Sequence, residues 1–350
     1  MDASGGAGGT SPVGLPATEI AARVRSGEFS AVDVVRAHLE HVAAVDARVG
    51  AFRVVQRAAA LLEAATVDAA PDRGSLPLAG VPIAVKDNVP VAGESCTHGS
   101  SAWAAGPADA DHAVVARLRA AGAVVVGITR MPELGLHATT DAPGAVSRNP
   151  WDTALSPSGS SGGSAAAVAS GQVPLAIGND GLGSLRLPAA ACGLVTLKPG
   201  RGIVPPLERT WYGMVENGAL ATTTGDLAVA HAVMAGVEPA PLPPPAAPLR
   251  IAVGLRSPLP GVRADGPTRA AVDAVVRQLV AAGHRVVRRN PAAPLGAAAG
   301  TVARWMAAAH DEAEALHADP RRLQPRTRTH ARLGGLVQRA GLVRPRTAER

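Results

Sequence analysis

The sequence predicts an α/β protein, and three observations carry that prediction. Short apolar runs bounded by glycine and proline alternate with helical patterns of 3.6-residue period, most plainly over 81–128 and again over 250–288. The chain is 47% hydrophobic but only 2% aromatic, so its core has to be assembled from Ala, Val and Leu. At 350 residues it is long enough to bury such a core. Residues 1–16 are rich in Gly, Ser and Pro and read as a disordered N-terminus, with neither the basic nor the apolar region of a signal peptide. Residues 17–350 read as one domain. No apolar run is long enough to span a bilayer, so no membrane role is expected. Cys96 and Cys192 lie far apart and outside any C-x-x-C spacing, which points to a reduced, cytoplasmic protein.

In chain order, 18–27 and 30–49 read as helices, the second capped by Ser30 and carrying the stripe Val34, Val35, Leu39, Val42 and Val45. His38 and His41, spaced i, i+3, could chelate a metal, but without a third ligand they read as solvent-facing. A further helix is expected over 52–65. Residues 81–86 form an apolar strand ending in Lys86, where α/β proteins place chemistry. Asp111 reads as the cap of a helix containing Val114, Val115 and Leu118, and a strand over 123–128 follows Gly122. Later come a helix over 165–170, a strand over 173–177, a helix over 225–234 and an extended proline-rich connector over 239–248. Strands over 250–254 and 284–288 then flank a helix with Pro267 in its first turn and apolar positions Val272, Val275, Val276, Leu279 and Val280.

Two serine-bearing glycine turns stand out, Gly159-Ser160-Ser161-Gly162-Gly163 and Gly181-Leu182-Gly183-Ser184. Glycine admits positive φ, which lets successive N–H groups converge on an anionic oxygen while a hydroxyl is presented beside them. A flexible linker would have the same composition, but the first turn feeds directly into a helix and a buried strand. It also fits G-x-S-x-G; that nucleophile elbow needs a preceding strand, which 149–157 does not offer. The chemistry expected is acyl transfer by a serine.

The formal net charge is +6 and the pI is near 10.4, a balance that raises nucleic acid as a partner. The arginines are spread along the chain without interleaved aromatics, and the one dense cluster, over 321–350, reads as solvated helix faces, which argues against it. More telling, Lys86 and Lys198 are the only lysines. Lysine loses its proton when desolvated and arginine does not, so Lys86 at the end of an apolar strand is a candidate base. Lys198, within Leu197-Lys198-Pro199-Gly200, reads as an ordinary ion-pair residue.

Several ordered motifs resemble the amidase signature family. They are Gly80-Val81-Pro82-Ile83-Ala84-Val85-Lys86-Asp87-Asn88, Arg148-Asn149-Pro150-Trp151, 156–164, Gly183-Ser184-Leu185-Arg186-Leu187-Pro188-Ala189, Cys192-Gly193 and Leu197-Lys198-Pro199. The resemblance implies an α/β/α sandwich around a large twisted mixed sheet, and a small-molecule amide and water as reactants, with no metal and no cofactor. It implies Ser184 as nucleophile, Ser160 on a cis peptide as proton relay, Lys86 as base, and the backbone N–H groups of Gly181, Leu182, Gly183 and Ser184 as oxyanion hole. Removing one oxyanion donor typically costs about 3 to 4 kcal/mol of transition-state stabilisation.

Departures from the family pattern include Leu182, where most relatives have glycine. Were that position to require positive φ, its side chain would cost about 1 to 2 kcal/mol. Ser158, Asn179, Thr196 and Ala219 are milder departures. Relatives continue past Arg350 with a further strand and helices, so the chain reads as C-terminally incomplete. Two other readings compete with a stand-alone amidase: the amidase subunit of a tRNA-dependent amidotransferase, which usually has glutamine where Leu187 stands, and a noncatalytic amidase-like remnant.

Overall fold

The computed structural model describes residues 11–142, 144–240, 245–257, 261–290 and 296–343. In chain order the elements are α1 (Ala17–Ser26), α2 (Ala31–Val49), β1 (Phe52–Val55), α3 (Arg57–Ala69), β2 (Pro82–Lys86), α4 (Ala113–Ala120), β3 (Val124–Thr129), β4 (Asp141–Ala142) and β5 (Ala145–Val146). They continue with α5 (Gly162–Ala169), β6 (Leu175–Asp180), α6 (Arg186–Cys192), β7 (Val195–Thr196), β8 (Glu216–Ala221) and α7 (Thr224–Ala235). Last are β9 (Arg250–Val253), α8 (Gly266–Ala281), β10 (Arg285–Arg288), α9 (Ala297–Ala315) and α10 (Pro325–Arg339).

The main sheet is mixed and runs β1-β3-β2-β6-β8-β7. Its centre, β3, β2 and β6, is parallel, and β1, β8 and β7 are joined antiparallel at the sides. Every residue of β2, β3 and β6 is buried, as expected for strands covered on both faces. Lys86 pairs with Thr129 in the β2–β3 register, and Val85 with Ile177 in the β2–β6 register. The C-terminal ends of the three parallel strands therefore bring Lys86, Thr129 and Asn179–Asp180 to one edge. Core residues are Ala, Val, Leu and Ile almost throughout, with Phe52 the only aromatic side chain buried in the main cluster among the described residues.

Local chemistry explains the element ends. Ser30 caps α2 by accepting from the Asp33 N–H, and α2 ends at Gly50 with φ 65. Asp265 caps α8 with Pro267 in its first turn. The expected helix over 52–65 begins only at Arg57, because Phe-Arg-Val-Val is a β-favouring run that pairs antiparallel with β3. Asp111 does not cap α4; its carboxylate accepts from the Ala92 N–H at 2.8 Å and pairs with Arg119 at 2.8 Å, while His112 takes the cap position. His38 is not solvent-facing: it lies on the buried stripe of α2, with Nδ1 2.9 Å from the Val34 carbonyl oxygen, and burial pushes its pKa down to about 4. The expected connector over 239–248 lies partly outside the described residues, as does 344–350.

Strands β9 and β10 form a separate two-stranded parallel sheet, and α8 has no buried residue. Of its apolar positions, Val272, Val276 and Leu279 are half-buried, while Val275 and Val280 are 53% and 55% exposed. Helices α9 and α10 pack on each other, and α9 also contacts the 3-10 turn Glu133–Gly135. That hairpin is tied down by Glu133, which accepts from the Ser100 hydroxyl at 2.5 Å and the Gln324 N–H at 2.9 Å, and by the ion pair of Arg326 with Asp141 at 2.9 Å.

Helix α7 is joined to α1 through Asp226, whose Oδ1 accepts from both the N–H and the hydroxyl of Thr18 at 2.8 Å. Asp226→Ala leaves both donors without that acceptor. We expect it to lower the unfolding free energy by about 1 to 3 kcal/mol, measured by urea titration, with helical circular dichroism retained.

Candidate active site

The structure brings Ser160 and Ser184 to one cavity and sets the fully buried Lys86 behind Ser160. Lys86 Nζ donates to Ser160 Oγ at 2.8 Å and to Asn179 Oδ1 at 2.8 Å. Among the described residues it has no carboxylate bonded to it. Burial lowers its pKa from 10.5 to about 7, a fall that the charge of Asp180 partly offsets. Asn179 is itself oriented, its Nδ2 donating to Asn88 Oδ1 at 2.8 Å. The sequence marks Asn179 only as a departure from the family pattern; nothing in its neighbours announces a lysine ligand.

Ser160 stands in the first glycine turn, after a cis Gly159–Ser160 peptide. The hydroxyl of Ser161 bonds the Asn179 carbonyl oxygen at 3.2 Å, and that of Ser164 bonds the Ile177 carbonyl oxygen at 3.1 Å, stitching the turn and α5 to β6. The glycines serve a purpose other than the one expected, since none of Gly159, Gly162 and Gly163 adopts positive φ. They permit close approach: a Cβ on Gly159 would lie 2.7 Å from the His137 carbonyl oxygen, one on Gly162 2.2 Å from Thr140 Oγ1, and one on Gly163 2.5 Å from the Arg130 carbonyl oxygen.

The second turn is shaped by Asp180. Its buried carboxylate accepts from the N–H of Gly183 at 2.7 Å and of Leu185 at 3.2 Å, and pairs with Arg186 at 2.9 Å. Gly183 takes φ 113, whereas Leu182 is exposed and not among the residues with positive φ, so the strain considered at Leu182 does not arise. With Gly183 engaged by Asp180, the N–H groups of Gly181, Leu182 and Ser184 remain without an internal acceptor among the described residues. Lys198 is not a simple ion-pair residue: Nζ donates to the carbonyl oxygens of Asp180 at 2.7 Å and Gly181 at 3.1 Å and to that of Met214. It clamps the turn to the loop that follows.

Ser160 and Ser184 line a cavity of about 170 Å³. The Ser184 hydroxyl makes no hydrogen bond among the described residues, so the expected contact with Ser160 is not closed here. Apolar walls come from Leu134, Leu207, Trp211 and Val215, and Glu312 of α9 reaches the same space. His98 also lines it, its pKa pushed down to about 3 by burial and by the charges of Arg209 and Lys86. Cys96 is no rival nucleophile, because burial and Asp87 push its thiol up to about 12. Asp87 holds the neighbouring loop, accepting from the N–H groups of Thr97 at 3.0 Å and Gly99 at 3.2 Å and pairing with Arg53 at 2.9 Å. Among the described residues no three His, Cys, Asp or Glu side chains converge as metal ligands would. No helix among them is long and apolar enough to cross a membrane.

Comparison with known proteins shows the family to which the chain belongs. The family described as Amidase matches residues 33–334. A Mycobacterium tuberculosis protein that carries the name putative amidase AmiB2 is 40% identical over 97% of this chain and 76% of its own length. A glutamyl-tRNA(Gln) amidotransferase subunit from Streptomyces avermitilis is 42% identical over 66% of this chain and 48% of its own length. Among solved structures, 6-aminohexanoate cyclic dimer hydrolase with bound substrate superposes with a TM-score of 0.80 at 29% identity, covering 94% of this chain and 74% of that one. The chain belongs to the amidase signature family. It is an amidase, an enzyme that hydrolyses amide C–N bonds.

Asp180 makes the turn's order dependent on pH. Burial alone would raise its pKa, but the donors from Arg186, Gly183 and Leu185 outweigh burial and hold it near 2, below the ordinary 3.8. Its stabilisation is therefore complete above about 3.8 and lost as pH falls through about 2. We expect Asp180→Asn to be less stable than the parent at pH 7 in urea unfolding, with the gap closing as the pH is taken from about 4 toward about 2.

Proposed function

We propose that the chain hydrolyses a small carboxamide through a serine acyl-enzyme, with Ser184 as nucleophile, Ser160 as proton relay and Lys86 as base. The observation that carries this reading is the fully buried Lys86 amine, 2.8 Å from Ser160 Oγ and with a pKa lowered to about 7. A neutral amine accepts the Ser160 proton while Ser160 takes that of Ser184. Ser184 Oγ bonds the amide carbon, and the carbonyl oxygen takes up negative charge beside the free N–H groups of Gly181, Leu182 and Ser184. As the C–N bond breaks, the proton returns through Ser160 to the leaving nitrogen; water then attacks the acyl-enzyme by the same route in reverse. The open Ser184 hydroxyl is compatible with this sequence, because catalytic hydrogen bonds often tighten only when substrate binds.

The match to the mycobacterial protein runs over 97% of the chain, against 66% for the amidotransferase component, which favours the stand-alone enzyme over a role within an amidotransferase. Ammonia release from a panel of primary amides tests the proposal directly; Ser184→Ala should reduce turnover at least about a thousandfold, and full activity in that variant would place the nucleophile elsewhere.

Two predictions concern the base. The catalytic form of Lys86 is neutral, so kcat/KM should rise with pH through about 7, and Lys86→Arg should abolish turnover at every pH because guanidinium stays protonated. Asn179→Asp puts a carboxylate where the neutral acceptor stands, 2.8 Å from Nζ. It favours the ammonium, so the rising limb should move to higher pH, with activity at neutral pH depressed and recovered in alkaline buffer. An unshifted limb would mean that a group other than Lys86 is titrating.

A further inference from the structure

Beyond the proposed reacting groups, one wall of the cavity is formed by Trp211. A Cβ on Gly181 would lie 3.1 Å from Cε3 and 3.5 Å from Cζ3 of that ring, and one on Gly135 would lie 3.9 Å from its Cζ2. The same Gly135 position is 3.5 Å from Ser160 Oγ. The six-membered ring of the indole thus spans the space between the turn that carries Ser184 and the segment facing Ser160, and both of those positions lack a side chain to push it away. Val215, also 3.1 Å from the Gly181 position, continues the same wall.

This wall is held from behind. Trp211 Nε1 donates to Glu312 Oε1 at 3.1 Å, and Arg209 Nε donates to Glu312 Oε2 at 2.8 Å, so both carboxylate oxygens of a residue with 7% of its side chain exposed are occupied by this one loop. The adjacent residue in each segment repeats the arrangement, Tyr212 donating its hydroxyl to Asp311 Oδ2 at 2.7 Å. Trp211 and Tyr212 both sit in the left-handed region, at φ 49 and 61, a conformation that side chains other than glycine, Asn and Asp rarely take without support. Lys198 fixes the far end of the loop by donating to the Met214 carbonyl oxygen as well as to those of Asp180 and Gly181. The indole is therefore fixed in orientation relative to the nucleophile turn.

We propose that Trp211, latched by Glu312, is a specificity-determining wall that selects amides carrying a single planar ring, a proposal that rests on the acyl-enzyme reading above. A cavity of about 170 Å³, lined on its other sides by polar groups such as Asn88 and His98, has room for one six-membered ring, since a roughly 150 Å³ apolar cavity accommodates benzene. Leu134, Leu207 and Val215 supply its other apolar walls. A flat ring can stack against the indole in offset or edge-to-face geometry while its amide carbon reaches Ser184; a puckered ring of the same carbon count forfeits part of that contact. The ring can belong to the acyl side, as in benzamide, or to the amine side, as in acetanilide. Glu312 borders the cavity, but both its carboxylate oxygens are taken by Trp211 and Arg209, and we assign it as a positioning residue.

The test compares kcat and KM for two pairs on the 350-residue protein, benzamide with cyclohexanecarboxamide and acetanilide with N-cyclohexylacetamide. We expect the planar member of at least one pair to be favoured about tenfold in kcat/KM, mainly through KM. The pair that responds identifies the side on which the ring sits. Trp211→Leu should collapse that ratio toward one, and Trp211→Phe should retain most of it. Glu312→Gln keeps an acceptor for the indole and should retain the ratio, while Glu312→Ala should reduce it. Equal rates within both pairs, or a ratio indifferent to Trp211→Leu, overturn the proposal. Calorimetric binding of the same four amides to Ser184→Ala separates the pocket from the chemistry: preference for a planar ligand without turnover in the parent would uphold the wall and refute the acyl-enzyme, and equal binding would refute the wall. If Trp211→Leu does not fold, that binding comparison decides the matter without it.

Discussion

A fully buried amine with no carboxylate bonded to it among the described residues is the constraint on which this structure turns. Lys86 ends an apolar strand flanked on both sides by parallel neighbours, so its ammonium form has lost its water and gained only a hydroxyl and an amide oxygen in exchange. Neutral acceptors satisfy donors without stabilising the charge much, and the proton is correspondingly easy to lose. Asp180, the carboxylate whose charge acts on the amine, would undo this if it were free to bond it. It is instead engaged by Arg186 and by the backbone of the turn that carries Ser184, and burial outweighs its charge at Lys86. The same two residues thus separate the charges of the site: the anion orders the loop, and the amine keeps only neutral acceptors, as its proposed role of base requires.

Holding a charge-poor amine next to two serines demands that the backbone come unusually close. The first glycine turn is pressed against the carbonyl groups of 137, 139 and 130, and the hydroxyls of Ser161 and Ser164 occupy carbonyl groups at the end of β6. Ordinary side chains at Gly159, Gly162 or Gly163 would drive α5 off the sheet, and the distance from Ser160 to Lys86 would open with it. The Ala-rich composition of α5 has the same cause. A helix buried on nearly all sides and packed against β2, β3, β6 and β8 has room for methyl groups and little else.

These physical causes also decide what can be read from the residues alone. Lys86 is legible because arginine serves every other cationic position but one, and the serine turns are legible because glycine and serine cluster where apolar elements begin. The layered α/β class and the order of most elements follow from period and punctuation. The reason for the glycines does not, since close approach to a backbone remote in sequence leaves no local trace; positive φ is the available local explanation and holds at Gly183 but not in the first turn. Phe52–Val55 is a β-favouring run, but it adjoins a helical pattern directly, and the pairing with β3 that separates the two is a tertiary fact. His38 misleads because a histidine on an apolar stripe can satisfy itself on the carbonyl one turn back. Asn179, Asp180 and Lys198 act on backbone groups or across strands, and neither spacing nor composition marks those roles.

The hairpin α9–α10 is the least legible part, visible in the sequence only as an arginine-rich end, and it is the part that touches the cavity from outside the sheet. Trp103 and Trp211 pack against the same small cluster as Trp305 of α9, in a chain with few other aromatic residues. This division has a physical logic. Groups that move protons must keep hydrogen-bond distances to within a fraction of an ångström, and parallel strands with glycine-enabled packing provide that rigidity. The proposed wall needs only shape and orientation, and a loop can supply these provided that something else fixes it. Asp311 and Glu312 fix it from a separate helix pair, so the wall can change through substitutions in 207–215 and 297–343 without disturbing the register that sets Lys86 against Ser160.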